Sequence, residues 1–464
     1  MQWLRGHPGR PHRLDLAPAY RGPLAAGHGG GRVRHWYGIR LLFRPKARQG
    51  IERLVLILVI GYYVFYSVSQ WVTLTPGDLR FDFQNYFGGA VAAAHHTNVY
   101  GDFERLWGTH AWTVAYIYPP LFALSLAPLT PLGLLWAGRV WLLVVHAAFV
   151  ASLWLILRIN PELTPAARRL FLIAAFIFMP VYLTLHFQQV ASLWLLLLTA
   201  TLWAALRGHH RAAGITLALA ASLKVVPIFL IPLFARLGRW ATVAWATAAL
   251  CAITALTMLA SPGSLDFFTV VLPRLSLGNA NWDNGSINGL ISRTVDLFPG
   301  VFGSQTARVA AALISASVVI VVGITLWQAG RAGRDPWQLR LNVAALLVAL
   351  LIVSSVTWQH HLVTLLLPLA VAMAWIIERR PGRRYAVSLA AGYLLCWLDR
   401  RAFPLPADGV AHSTLQAVGI LAGTSVKLCG LLTFWIVLLL MLRHERRLAL
   451  TRLRTAAVSL PPAA

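Results

Sequence analysis

Asp82 is the residue whose type and setting best suit it to chemistry. It lies in the polar stretch from Thr75 to Trp112, which follows the first apolar run. That stretch also holds Asp78, Asp102 and Glu104, in a chain of 464 residues with only 15 acids. It opens Arg80-Phe81-Asp82-Phe83-Gln84-Asn85-Tyr86 and ends on Tyr116-Ile117-Tyr118-Pro119-Pro120, where the chain turns apolar again. A carboxylate held among aromatics at the edge of a bilayer is costly unless it has a use. Within hydrogen-bond reach of a hydroxyl, it can take the hydroxyl proton. The competing reading is a solvated loop acid paired with Arg80.

Other groups recur at the ends of apolar runs. Ser355-Val356-Thr357-Trp358-Gln359-His360-His361 sets two imidazoles beside a tryptophan. They suit a lipid phosphate or a sugar, or plain interfacial anchoring. Adjacent histidines face different sides of a helix and make a poor metal pair. Lys224, in Ala221-Ser222-Leu223-Lys224-Val225-Val226-Pro227, either snorkels to the interface or meets a phosphate. Gln188-Gln189, and Asn284-Gly285-Ser286-Ile287-Asn288-Gly289 with Arg293, are weaker candidates of the same kind. Tyr116 to Pro120 reads first as a structural boundary, its prolines fixing where the next span begins.

The elements that must carry these residues are membrane helices. The chain is 58% hydrophobic with a mean hydropathy of +0.66 and 12% charged residues. Apolar runs of about 17–25 residues cross roughly 30 Å of hydrocarbon, and they do not alternate as barrel strands would. The runs predict about twelve spans, near 51–74, 113–131, 134–157, 169–186, 189–206, 211–235, 238–260, 305–329, 341–356, 361–377, 385–398 and 418–442. Tyr86 to Ala94 predicts a short surface helix.

Charge orients them. Residues 1–50 carry ten Arg and Lys and are rich in Gly and Pro, so a basic, disordered cytoplasmic segment is expected. Residues 330–340, 378–384 and the tail 443–464 are basic and assigned inside; the first loop and the long loop 261–304 are assigned outside. One conflict stands: Arg158, Arg168, Arg169 and Arg207 to Arg211 prefer the cytoplasm, yet counting twelve spans puts them outside. Broken hairpins at 134–157 and 211–235, the second marked by Pro227 and Pro232, would resolve it.

The formal charge of +25 is accounted for by these cytoplasmic segments and anionic headgroups, and no nucleic-acid module accompanies it. Cys251, Cys396 and Cys429 fall in or beside apolar runs and predict no disulfide framework or metal site. Residues 1–50 lack the short apolar core of a cleavable signal peptide. No dinucleotide, Walker or H-E-x-x-H pattern occurs, so substrates are expected through the lipid.

These motifs, in this order, resemble glycosyltransferase family 87, over roughly residues 50–380. The matching positions are Asp82 with Tyr86; Tyr118-Pro119-Pro120; Gln189; Lys224 with Pro227; Asn284 with Ser286, Gly289 and Arg293; and Ser355 with Trp358, His360 and His361. Gln188 stands where the family has glycine, and Asn85 where it has an aliphatic residue. The resemblance implies a GT-C fold in one membrane domain over 51–442. It implies a transferase that moves a sugar, mannose in the α-(1→2)-mannosyltransferase members, from a polyprenyl phosphate to a glycan or glycolipid. Asp82 would be the general base of an inverting displacement. Tyr86, Tyr118, Gln189, Lys224, Asn284, Ser286, Arg293, Trp358, His360 and His361 would bind substrate. The expected place is the cytoplasmic membrane, with the site on its outer face. No cofactor is implied, and no pair of carboxylates indicates a divalent metal, Asp78 with Asp82 being the nearest candidate. The rival function is a transporter or flippase of lipid-linked sugars, against which the missing internal repeat speaks.

Overall fold

A computed structural model describes residues 45–79, 82–106, 115–277, 279–298, 305–330, 335–399, 402–403 and 411–458. The basic segment before Pro45, Arg80, Phe81, the stretch 107–114 and the end of the tail lie outside the described residues, so the expected Arg80 partnership falls outside them too. The chain divides at Ile51, and everything below concerns the unit that begins at Glu52.

All described elements are helices. Seven are long and apolar enough to cross a membrane, or eight if Pro165–Ile177 and Met179–His186, bent by 45°, count as one span. The difference from twelve is traceable. The expected spans 113–131 and 134–157 are one run, Pro120–Ile159, of 40 residues. Its first part bends through a 3-10 turn at Ala127–Leu132, with Pro131 inside, and Gly133 takes φ 70° where the long helix Gly133–Ile159 begins. Expected spans 189–206, 211–235 and 385–398 are shorter helices: Ala191–Leu206, His210–Leu223 with Leu230–Arg236, and Arg384–Trp397. At about 1.5 Å per residue, 14 residues rise only about 21 Å, short of a full hydrocarbon core.

Segment 134–157 is therefore no hairpin, whereas 211–235 is broken at Lys224, as its prolines foretold. With the two early spans read as one run and 211–235 as a hairpin broken at Lys224, counting puts Arg158, Arg168 and Arg169 on the cytoplasmic side and still leaves 261–304 outside. Arg169 pairs with Glu52 at 2.7 Å, next to the basic start of the chain. Arg340 grips Glu162 with two bonds of 2.8 and 2.7 Å and stacks on Trp337, its guanidinium carbon 3.8 Å from the ring centre. Arg379 reaches Glu445 at 2.7 Å, and Trp375 Nε1 donates to the same carboxylate at 2.7 Å. Of the segments that sequence assigns to the cytoplasm, 330–340 is thus bonded to Glu162 through Arg340, and 378–384 to the tail through Arg379 and Glu445.

Helix Pro336–Val353 is the axis. Of its apolar window 94% is buried, against 6% for Lys46–Thr73. A helix apolar all round is stable only where neighbours surround it, and Val426–Val458, Thr306–Gln328 and Leu366–Arg379 do so. The expected surface helix exists as Asp82–Ala94, but Phe83, Tyr86, Gly89, Ala90 and Ala93 turn one face inward. It packs on Pro120–Leu126 rather than resting on lipid. Gly89 is required there, because a Cβ would fall 2.5 Å from the ring of Tyr116.

Candidate functional site

Asp82 is the first residue of helix Asp82–Ala94, where the positive end of the helix dipole favours a carboxylate. Its side chain is half-buried. Burial pushes its pKa up to about 6, opposed by a hydrogen bond from the Gln189 side chain and by the nearby charge of Lys224. Loss of hydration disfavours the ionised form, and the two neighbours recover part of that loss. The carboxyl is therefore basic enough to accept a proton and still ionised near neutrality.

Gln189 organises this corner. It is buried, and its Oε1 accepts from Tyr86 Oη at 3.0 Å and from Tyr118 Oη at 3.4 Å. The two hydroxyls are 3.1 Å apart. With its oxygen occupied, its amide nitrogen is left for Asp82. Two phenols and one amide thereby fix the carboxylate from behind. The rings of Tyr86, Tyr118 and Phe122 stack edge to face, 4.9 to 5.4 Å apart.

The chain reaches Gln189 by an unusual turn. Gln188 has φ 48°, a left-handed conformation that suits glycine and costs other residues about 1–2 kcal/mol. The turn is held because Trp141 Nε1 donates to the Gln188 carbonyl at 2.7 Å and Gln189 N–H to Thr184 O at 2.8 Å. The departure at Gln188 noted in the sequence thus falls where the backbone asks for glycine.

Lys224 sits at the break after His210–Leu223, its backbone extended at φ −155°. It does not snorkel. Its side-chain nitrogen meets His361 Nε2 and lies 5.3 Å from the centre of the Trp194 ring. His361 Nδ1 accepts the Trp358 N–H at 3.2 Å, which puts the ring proton on Nε2, the nitrogen facing the Lys224 amine. His360 packs on His361 with ring centres 4.5 Å apart. Its Nε2 is buried and has no partner among the described residues. Trp358 stands half-buried at the start of the 3-10 turn Gln359–Leu365.

The 279–293 loop is stitched onto this turn. Gly285 N–H donates to Thr357 O at 2.9 Å, and Thr357 N–H to Asn284 Oδ1 at 2.9 Å. Asn284 spends its amide on Asn279 O and Ser355 O, and Ser286 caps Ile287–Leu297 by accepting Gly289 N–H at 3.1 Å. Arg293 Nη1 clamps Asn281 O and Asn284 O, while its Nε and Nη2 are buried without a partner among the described residues. Asn284 and Ser286 therefore shape the loop with their polar atoms, whereas Arg293 keeps donors in reserve.

Asp78 and Asp102 have other tasks. Thr75 donates hydroxyl and backbone N–H to Asp78 at 2.6 and 2.8 Å, and these bonds hold the exposed carboxyl below the usual range. Asp102 pairs with exposed Arg105. Among the described residues no three His, Cys, Asp or Glu converge as a metal site. Sequence reasoning missed Trp141 and Trp194; two more tryptophans in apolar runs among 19 carry no signal of their own.

Asp82 thus lies between the Gln189 amide and the charge of Lys224, and Lys224 in turn meets His361, with His360 packed beside it. This arrangement can accept a proton at one end and stabilise negative charge at the other. Residues 116–355, more than half the chain, match the family model of glycosyltransferase family 87. That span holds Tyr118, Gln189, Lys224 and the 284–293 loop, while Asp82 and the two histidines flank it. No curated protein matches the chain.

Proposed function

We propose, for a chain that belongs to glycosyltransferase family 87, that the site around Asp82 moves a mannosyl unit from a polyprenyl phosphate to a hydroxyl of a glycan or glycolipid. The membership makes it a glycosyltransferase, so the carrier reading is not taken further. The observation that supports the mechanism best is the setting of Asp82: half-buried, lifted to about 6, and held by Gln189 and Lys224.

The acceptor oxygen forms its bond to the anomeric carbon as that carbon's bond to the phosphate oxygen breaks. The electron pair leaves with the lipid phosphate and the acceptor's proton passes to Asp82. One displacement inverts the anomeric centre. Lys224, His361 and the unpartnered His360 Nε2 answer the charge growing on the phosphate, as donors fixed before the reaction do. Arg293 serves the same phosphate with its spare donors. Arg340 lies near the start of helix Pro336–Val353 and the two histidines follow its end, which supports reading the site, by the positive-inside rule, as facing the outer side of the cytoplasmic membrane.

The test is transfer by the purified protein in lipid nanodiscs, with polyprenyl-phosphate mannose among a panel of lipid-phosphate sugars. Transfer with inverted configuration, lost in Asp82→Asn while the protein stays folded, is expected. Near-normal transfer by Asp82→Asn, or retained configuration, would end this mechanism.

A further inference from the structure

Arg139 is a cation that the site around Asp82 does not use. Helices Pro45–Thr73 and Gly133–Ile159 run antiparallel: Trp71, near the end of the first, meets Arg139 near the start of the second, and Tyr63, farther from that end, bonds His146 Nδ1 at 2.7 Å. The guanidinium carbon of Arg139 sits 5.2 Å from the ring centre of Trp71 and 4.6 Å from that of Trp136. Arg139 is half-buried, and among the described residues it makes no hydrogen bond and no ion pair. Its Nε is buried without a partner among them, and so is Trp71 Nε1. Arg169, Arg340 and Arg379 each grip a carboxylate, whereas Arg139 has two rings and no oxygen.

Aromatic faces hold a guanidinium in place but leave its N–H groups to donate elsewhere. A planar fork with its donors spare matches the oxygens of a phosphate, and the indole N–H beside it adds one more donor. The surroundings say what carries that phosphate. Tryptophans near helix ends mark the level of the headgroups. Val68 and Leu143 lie about one turn farther into the membrane, on the same helix faces as Trp71 and Arg139, and both are exposed. A ligand with a phosphate at Arg139 and an apolar body running past Val68 and Leu143 is a membrane lipid.

The first span has a use for such a ligand, because protein buries only 6% of its apolar window. A phosphate shared by Trp71 and Arg139 ties that span to the rest of the bundle. Its neighbour is the helix that carries Asp82: a Cβ on Gly138 would fall 2.8 Å from the Leu79 side chain and 3.4 Å from Phe83. We propose that Arg139, Trp71 and Trp136 form a site for the phosphate of an outer-leaflet lipid, which bridges the first span to Gly133–Ile159. The site needs the membrane helices and not the transferase reading.

Photocrosslinking of the full-length protein in maltoside micelles tests it. The probes are a phosphatidylglycerol analogue with a diazirine on its acyl chain and a diacylglycerol analogue that lacks the phosphate, with adducts mapped by peptide mass spectrometry. In wild type, phosphatidylglycerol adducts beside Val68 and Leu143 should exceed those of diacylglycerol about tenfold. They should fall about tenfold in Arg139→Gln, the scale for losing hydrogen bonds to a charged group. Trp71→Phe keeps a ring without the N–H and should lower them about threefold. Unlabelled phosphatidylglycerol should compete, and inorganic phosphate should not. Equal labelling in wild type and Arg139→Gln, or equal labelling by the two analogues, would reduce the contact to ordinary lipid solvation and overturn the site. Displacement by inorganic phosphate would make it a site for a free anion and overturn it as well. If Arg139→Gln fails to fold, Trp71→Phe and the two analogues on wild type decide the matter. Loss of transfer in any of these variants has no bearing on the outcome, so the lipid site and the transferase reading stand or fall separately.

Discussion

The two ends of the helix bundle treat charge in opposite ways. At the basic end three buried or half-buried acids are matched: Glu52 with Arg169, Glu162 with Arg340, Glu445 with Arg379 and Trp375. At the other end Asp82 faces an amide and a lysine that is itself turned to an imidazole, and His360 Nε2 and two Arg293 nitrogens are unmet. The matched end closes the fold. Single polar atoms lack partners at both ends among the described residues, Arg340 Nε and Asn160 Oδ1 at the basic end included, so the contrast lies in the pairing of whole charges.

The sharpest way to break this contrast is Asp82→Asn. It should lower transfer ~10²–10⁴-fold, the usual contribution of a positioned base. It should leave thermal stability intact or raised near neutral pH. The sign follows from linkage: a carboxyl lifted to about 6 in the fold, against about 3.9 unfolded, stabilises most below pH 4 and loses that contribution as pH rises through 6. Melting curves from pH 4 to 8 check it; a marked loss of stability at pH 7 would make Asp82 part of the matched class.

Arg340→Met should do the reverse. Stripping one partner from a buried pair costs about 3–5 kcal/mol, so the melting midpoint should fall while the pH profile of the folded fraction keeps its shape. A shifted profile would couple the two ends. Lys224→Met should cost ~10²–10³-fold in kcat, the scale for losing one preorganised donor to a developing oxyanion. It should spare acceptor KM, and rapid single-turnover assays would show the loss in the chemical step.

The smallest effect is the most diagnostic. In wild type, kcat/KM should climb as pH rises through about 6, because the base must be ionised. Gln189→Leu removes a bond that favours the carboxylate, so this limb should move to higher pH. A purely structural glutamine would lower activity equally at all pH values.

The periodicity and charge of the sequence carried most of the fold class: an all-helical membrane protein with a short helix after the first polar stretch. The count of spans was less legible. Pro131 and Gly133 look like a loop between two spans, yet packing carries the chain through them as one run. Helices Ala191–Leu206 and Arg384–Trp397 are 16 and 14 residues long, and composition does not reveal where a helix stops inside a folded bundle. The grouping of Asp82 with Gln189, Lys224 and His361 was anticipated only through the order of motifs. Nothing local to residues 82, 189, 224 and 361 says that they touch.

Sequence by itself determined the solvent of this protein, the position of its charges, and the residue types available for chemistry, since each follows from hydropathy and spacing. Only the tertiary structure decided which charges are matched and which are spared. That choice depends on which helix ends meet, and it turned Lys224 inward, spent Asn284 on the loop, and set Asp82 between Gln189 and Lys224.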